Sequence, residues 1–227
     1  MPLTPEQLCL ERDEVITRHA TGRIIARRDA RNLITLDPIV INTPDDDAAL
    51  IVWSGSLADD LNEPHPANWL TPGQQAFAEL KDRLIAAATD SAARILIQPH
   101  SRHLLSDTQT AYNFINTLDA NASEAAPPLG LMLAPATLLE PSMLHPIEDH
   151  LTRIFETLAP HAGIVLLTDA VVMDGDDRMQ PVPLGAGCLP MDLLRDLAHR
   201  WIGPATPVAL LDDDNADLAS QMALLGL

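Results

Sequence analysis

Short stretches that are apolar at consecutive positions recur along this chain, and they constrain its fold more than any other feature. They are Ile39-Val40-Ile41, Leu50-Ile51-Val52-Trp53, Ile95-Leu96-Ile97, Leu129 to Leu133, Ile164 to Leu167 and Val208 to Leu211. A strand with one wet face alternates apolar and polar residues. A run with no alternation fits a parallel strand buried on both faces. Between these runs the period changes to that of a helix. Phe77, Leu80, Leu84 and Ala88 share one face, as do Ala111, Ile115 and Leu118. Ile147, Leu151, Ile154, Phe155 and Leu158 form a third stripe, Leu194, Leu197 and Trp201 a fourth, and residues 216–225 read as a last helix.

Strand, helix, strand, helix with short loops implies right-handed βαβ crossovers. No Gly- or Ser-rich linker interrupts the order, so residues 1–227 read as a single domain. The fold class is α/β, a (β/α)8-type TIM barrel. Such a barrel typically takes about 250 residues. With only six clear strands, the prediction is a barrel that is incomplete or irregular at its N-terminal end, over residues 1–48.

Those first residues carry less pattern. Glu6 to Arg18 reads as a helix, Arg23 to Asn32 as helix or loop, and Leu33 to Ile41 has room for one strand interrupted at Asp37-Pro38. Thr4-Pro5-Glu6-Gln7 and Thr71-Pro72-Gly73-Gln74 each offer a hydroxyl N-cap, a proline without an N–H to lose, and a glutamine that can reach back. Ser106-Asp107-Thr108-Gln109 repeats the device without the proline.

Composition narrows the partners. Hydrophobic residues make up 47% and aromatics 3%, so the core is aliphatic. The formal charge is −18 and Lys81 is the sole lysine. Binding a polyanion needs clustered Lys and Arg, which excludes nucleic acid and an anionic membrane surface as expected partners. Cys9 and Cys188 read as reduced thiols of a cytoplasmic protein. The start, Met1-Pro2-Leu3-Thr4-Pro5-Glu6-Gln7, has no basic segment followed by an apolar one, so no signal peptide is expected. No apolar run reaches the length of a membrane span.

From Leu50 onward, roughly three quarters of the chain, the order of motifs resembles the xylose isomerase-like TIM barrel superfamily of sugar phosphate isomerases and epimerases. Leu50-Ile51-Val52-Trp53-Ser54-Gly55 is similar to a strand ending in a small-residue turn. Ile95-Leu96-Ile97-Gln98-Pro99-His100 resembles a strand that ends Glu-Pro-His in the family. Residues 129–137 resemble the strand that ends Asp-x-x-His, and Ile164-Val165-Leu166-Leu167-Thr168-Asp169 the next one. Pro183-Leu184-Gly185-Ala186-Gly187 is similar to the turn before the last helix.

The resemblance implies a divalent metal at the strand ends, polarising a sugar carbonyl between two proton-exchanging glutamates. This chain departs from that pattern. Gln98 stands where a Glu is expected, Ala134 at the Asp, Thr137 at its His partner and Leu166 at the next His, and the final Glu falls near Leu210 or Leu211. Neutral and apolar side chains carry neither the charge nor the basicity. The expectation is therefore no metal, no other cofactor and no assigned catalytic residue.

The candidate ligand-binding residues are Gln98, His100, Arg102 and Asp169, with His103 beside them. All follow strand ends, the functional face of a barrel. Each also has a plain reading: Gln98 as a buried amide, His100 and His103 as loop residues, Asp169 as the cap of a turn. The acidic runs at 45–47, 174–177 and 212–214 lack the spacing of a calcium loop. His145, His150 and His161 read as surface or capping residues. Gly185-Ala186-Gly187 lacks the preceding strand of a dinucleotide site.

Three functions follow. The first is a diverged isomerase/epimerase-like protein that has lost metal-dependent catalysis and binds a sugar-like small molecule. The second is a non-catalytic scaffold or subunit that uses the barrel as a frame. The third is an active metal-dependent enzyme whose ligands come from loops, through Asp174, Asp176 or Asp212. The irregular N-terminal part leaves room for a homo-oligomer, or for a partner chain that completes the barrel.

Overall fold

A computed structural model of the chain describes residues 5–11, 14–18, 24–36, 39, 48–91, 93–119, 128–173, 177–212 and 217–226. The strands are β1 (Pro5–Glu11), β2 (Glu14–Arg18), β3 (Ile24–Asp29), β4 (Ala49–Trp53), β5 (Ile95–Gln98), β6 (Leu129–Leu133), β7 (Ala162–Leu167), β8 (Asp169–Val172), β9 (Met179–Val182) and β10 (Val208–Asp212). The helices are α1 (Thr71–Ser91), α2 (Thr108–Asp119), α3 (Ile147–Leu158), α4 (Met191–Trp201) and α5 (Leu218–Leu224).

The main sheet curls into a closed ring in the order β1-β10-β7-β6-β5-β4-β3-β2. From β3 round to β1 through β10 every pairing is parallel. β2 is antiparallel to both of its neighbours. This is a TIM-type α/β barrel with an irregular N-terminal end, as predicted. Helices α1 to α4 cross over between strands from β4 onward. On the N-terminal side a β-meander replaces the first βα units.

That meander corrects two expectations. The segment Glu6 to Arg18, read as a helix, forms β1 and β2, and the charged segment Arg23 to Asn32 contains β3. Without them β10 and β4 would present open parallel edges with unpaired N–H and C=O groups. Pairing those edges outweighs a weak local helix preference. Ile39 lies outside any strand, Leu33–Thr35 is a single 3₁₀ turn, and Val40 and Ile41 lie outside the described residues.

The helices from α1 onward follow their predicted stripes. Leu80, Leu84 and Ala88 are buried on α1, Leu151, Ile154, Phe155 and Leu158 on α3, and Leu194 and Leu197 on α4. Two helix starts shift by one residue. α1 already includes Thr71. At α2 the cap is Asp107 rather than Ser106: its Oδ1 accepts from Thr110 N–H at 2.7 Å, while the Thr110 hydroxyl accepts from Asp107 N–H at 3.2 Å. Among the described residues no helix is long and apolar enough to cross a membrane.

Burial on both strand faces divides the core in two. Leu50, Val52, Ile95, Ile97, Leu131, Leu133, Val165, Leu167, Val208 and Leu210 pack outward against the helices. The alternate residues, Ala26, Ala49, Ile51, Leu96, Met132, Ala134, Ile164, Leu166, Ala209 and Leu211, fill the barrel interior. A strand turns its side chains to opposite faces with period two. This inner register, continued to the C-terminal ends of β3, β4 and β5, arrives at Arg28, Trp53 and Gln98.

Candidate functional site at the barrel mouth

These three side chains meet. Arg28 is 9% exposed and Gln98 1%. Arg28 Nη2 donates to Gln98 Oε1, and also lies 3.6 Å from the Met132 thioether sulfur. The guanidinium carbon sits 4.5 Å from the centroid of the Trp53 ring, a cation–π contact. Trp53 and Gln98 are partners in the register of β4 and β5, which fixes their spacing. Burial lowers the Arg28 pKa to about 10, so it stays protonated at neutral pH.

Above this layer opens a cavity of about 390 Å³. Its lining includes Arg28, Trp53, Asn62, Gln98, His100 and Arg178. Leu166 and Leu211 close its apolar side, and Met179, Gln180 and Pro181 of the β8–β9 hairpin bound it further.

His100 and His103 form an aromatic cluster with Trp53. The two imidazoles stack with centroids 4.7 Å apart, and each meets the indole edge to face. Burial, then the positive charges of Arg102 and Arg178, bring the His100 pKa down to about 4. Burial, then His100, lowers that of His103 to about 3. Both rings are therefore neutral at pH 7. Nδ1 of His100 accepts from Arg102 N–H at 3.1 Å, which puts its proton on Nε2. His103 donates from Nε2 to the Leu61 carbonyl at 3.1 Å, and its Nδ1 is buried without a partner.

The other predicted site residues serve the frame. Arg102 does not line the cavity. It donates to the carbonyls of Asn62 at 2.8 Å and Asp177 at 2.5 Å, tying two loops at the mouth together. Asp169 does not line it either. Its carboxylate accepts from the backbone N–H groups of Ala170 and Gly187, both at 2.7 Å, and of Leu189 at 2.9 Å. This is the turn-capping role. Gly187 is needed there because a Cβ would run into the Ala170 carbonyl and the Asp169 carboxylate. Of the predicted ligand-binding residues, the cavity brings together Gln98 and His100.

Sequence reasoning missed Arg28, Trp53, Asn62 and Arg178 as lining residues. For Trp53 and Arg28 a signal existed: each lies at the C-terminal end of a strand, on the inner parity. For Arg28 it was hidden by the reading of residues 23–32 as helix or loop.

Among the described residues the donor set does not fit a divalent cation. Among the described residues the lining offers amides, a neutral imidazole and the Thr137 hydroxyl but no carboxylate, and the Gln98 oxygen is already taken by a guanidinium. No three His, Cys, Asp or Glu side chains cluster among the described residues. Asp174 and Asp176 lie outside those residues, as does the side chain of Asp212. Among the described residues the lining also presents no side chain placed to take a proton from carbon, because the one imidazole holds its proton on the nitrogen that remains for a ligand. The arrangement can bind and orient a polar molecule.

No family model and no curated protein matches the chain. Solved structures do. A xylose isomerase domain protein from Planctomyces limnophilus is 19% identical, with a TM-score of 0.50, over 78% of this chain and 56% of that one. A 3-keto-D-glucoside 4-epimerase from E. coli is 12% identical, with a TM-score of 0.51, over 80% of this chain and 64% of that one. A xylose isomerase-like TIM barrel protein from Mycobacterium smegmatis, in complex with magnesium, is 14% identical, with a TM-score of 0.50, over 81% and 62%. The chain thus has the xylose isomerase-like barrel fold and spans less than two thirds of the length of these three structures.

Proposed function

We propose that this chain is a diverged, metal-independent relative of the sugar isomerases and epimerases, and that it binds a sugar-like small molecule at the mouth of its barrel in the cytoplasm. The observation that carries the reading is the cavity itself. A barrel kept only as a frame has no need of an open mouth, whereas a volume of about 390 Å³ lies in the range of small-molecule sites. Its lining suits a hydroxylated ligand: the amides of Asn62 and Gln98 and the Nε2–H of His100 surround an indole. The sugar class is borrowed from the 3-keto-D-glucoside epimerase that shares the fold. Loss of catalysis is supported by the missing carboxylate and base among the described lining residues.

The test is calorimetric titration of the full chain with a panel of monosaccharides and polyols, with and without a chelator. The expected result is saturable binding that is indifferent to the chelator and weakened in Asn62→Ala. Stoichiometric divalent metal in the purified protein, together with chelator-sensitive turnover of an aldose–ketose or epimer pair, would overturn the reading.

A further inference from the structure

The described lining of the cavity carries the opposite sign from the chain as a whole. The chain has a formal charge of −18, yet the described cavity lining brings two guanidinium groups, Arg28 and Arg178, and no carboxylate. Arg28 is the more telling of the two. A buried guanidinium is ordinarily held by a carboxylate, because taking an unpaired charge out of water is costly. Arg28 has instead a neutral amide oxygen, a thioether and an indole face. Its Nη1 is buried with no partner at all. Burial alone accounts for its lowered pKa, with no neighbouring charge opposing it.

Gln98 makes the arrangement specific. Its oxygen orients the guanidinium but leaves the charge intact. The Nε2–H of His100 supplies a neutral donor on the same wall, and Arg178 a second cation at the hairpin rim. Oxyanions match the fork of an arginine better than any neutral acceptor does. We propose that the cavity takes a ligand bearing an oxyanion, a carboxylate or a phosphate, and that Arg28 is its anchor. The proposal rests on the reading that the mouth binds a sugar-like molecule, and it narrows that class to sugar acids or sugar phosphates.

The experiment is calorimetry on the full chain at pH 7.5 and low salt. The probes are D-gluconate and D-glucose 6-phosphate, each against neutral D-glucitol, with acetate and inorganic phosphate as bare anions. One anionic arm is expected to bind at least about tenfold tighter than glucitol and to weaken as salt is added. Preference for gluconate assigns a carboxylate; preference for the phosphate ester assigns a phosphate.

Arg28→Met should abolish the preference. Because that variant empties a buried site, Gln98→Glu is the decisive one. It sets a near-isosteric carboxylate against Arg28 and should keep the fold. Anion binding should then fall at least about tenfold more than glucitol binding does, so that the preference for the anion is lost. Anions no tighter than glucitol, or anion affinity unchanged in folded Gln98→Glu, overturn the proposal. If glucitol binds but anions gain nothing, the anion site falls and the sugar reading stands. If only acetate or phosphate binds, and Gln98→Glu abolishes it, the anion site stands and the sugar reading falls.

Discussion

Trp53 and His103 meet edge to face at the barrel mouth, with ring centroids 5.1 Å apart and planes at 89°. Burial keeps that imidazole neutral. His103 also stacks on His100, and its pKa is held at about 3, that of His100 at about 4, against an ordinary 6.5. In the unfolded chain both protonate near 6.5. As pH falls below that value the unfolded state takes up protons that the folded state refuses, so stability drops until the folded pKa values are reached. Each histidine contributes a slope of up to about 1.4 kcal/mol per pH unit in this window. Urea unfolding at pH 7, 6 and 5 should therefore show a steep loss in the wild type. The loss should be smaller in His103→Gln by about 2 kcal/mol over the interval. Equal losses in the two proteins would show that His103 is not protected from protonation.

The part of the fold that was legible in the sequence is the part held by burial on both strand faces. Runs such as Ile95-Leu96-Ile97 have few alternatives, since a polar environment on either face would leave apolar surface in water. The stripe Leu151, Ile154, Phe155 and Leu158 likewise admits one orientation of α3. The N-terminal meander was not legible, because β1 to β3 are specified by the edges they close, and those edges belong to β4 and to β10, the latter at the other end of the chain. Gln98 and His100 were legible as residues of the barrel mouth because they stand at the end of a recognisable strand. Arg28 depends on the meander, and was lost with it. Asp169 has the sequence signature of both a ligand and a cap, and only its three N–H donors decide between them.

Asp169→Ala removes the acceptor of three backbone donors at once, those of Ala170 and Leu189 buried and that of Gly187 partly so. The cost is expected to be about 3–5 kcal/mol, since unpaired buried N–H groups lose their full desolvation penalty. Gly187→Ala forces the same turn apart by steric contact and should cost about 1–3 kcal/mol. Both are read from urea midpoints. Ligand affinity of the folded fraction should change little in either variant. A large loss of affinity in Asp169→Ala at unchanged stability would place Asp169 in the binding site after all.

Asn68 fastens the loops beneath the mouth. Its Oδ1 accepts from Leu57 N–H at 2.8 Å, and its Nδ2 donates to the Ser56 hydroxyl at 2.9 Å and the Arg102 carbonyl at 2.8 Å. The side chain is buried, so Asn68→Ala strands several polar groups and should cost about 2–4 kcal/mol. Asn68→Asp keeps the acceptor but turns the donor into a second acceptor facing a carbonyl, and should fare no better. Hydrogen exchange should report faster opening around residues 56–62 and 100–103 in both variants. Unchanged protection there would show that packing, not this amide, orders the loops.

Thr168 offers a test of the opposite sign. Its residue is buried at the junction of β7 and β8, and its hydroxyl has no hydrogen-bond partner. A buried hydroxyl without a partner retains a desolvation cost that nothing offsets. Valine replaces that oxygen with a methyl of nearly the same size and keeps the branch at Cβ. Thr168→Val should therefore stabilise the fold by about 1 kcal/mol and raise Tm by about 2–4 °C. Because Thr168 does not line the cavity, ligand affinity should be unchanged. A destabilisation of more than about 1 kcal/mol would mean that the hydroxyl is hydrogen-bonded in solution, through an ordered water at the inner wall of the barrel.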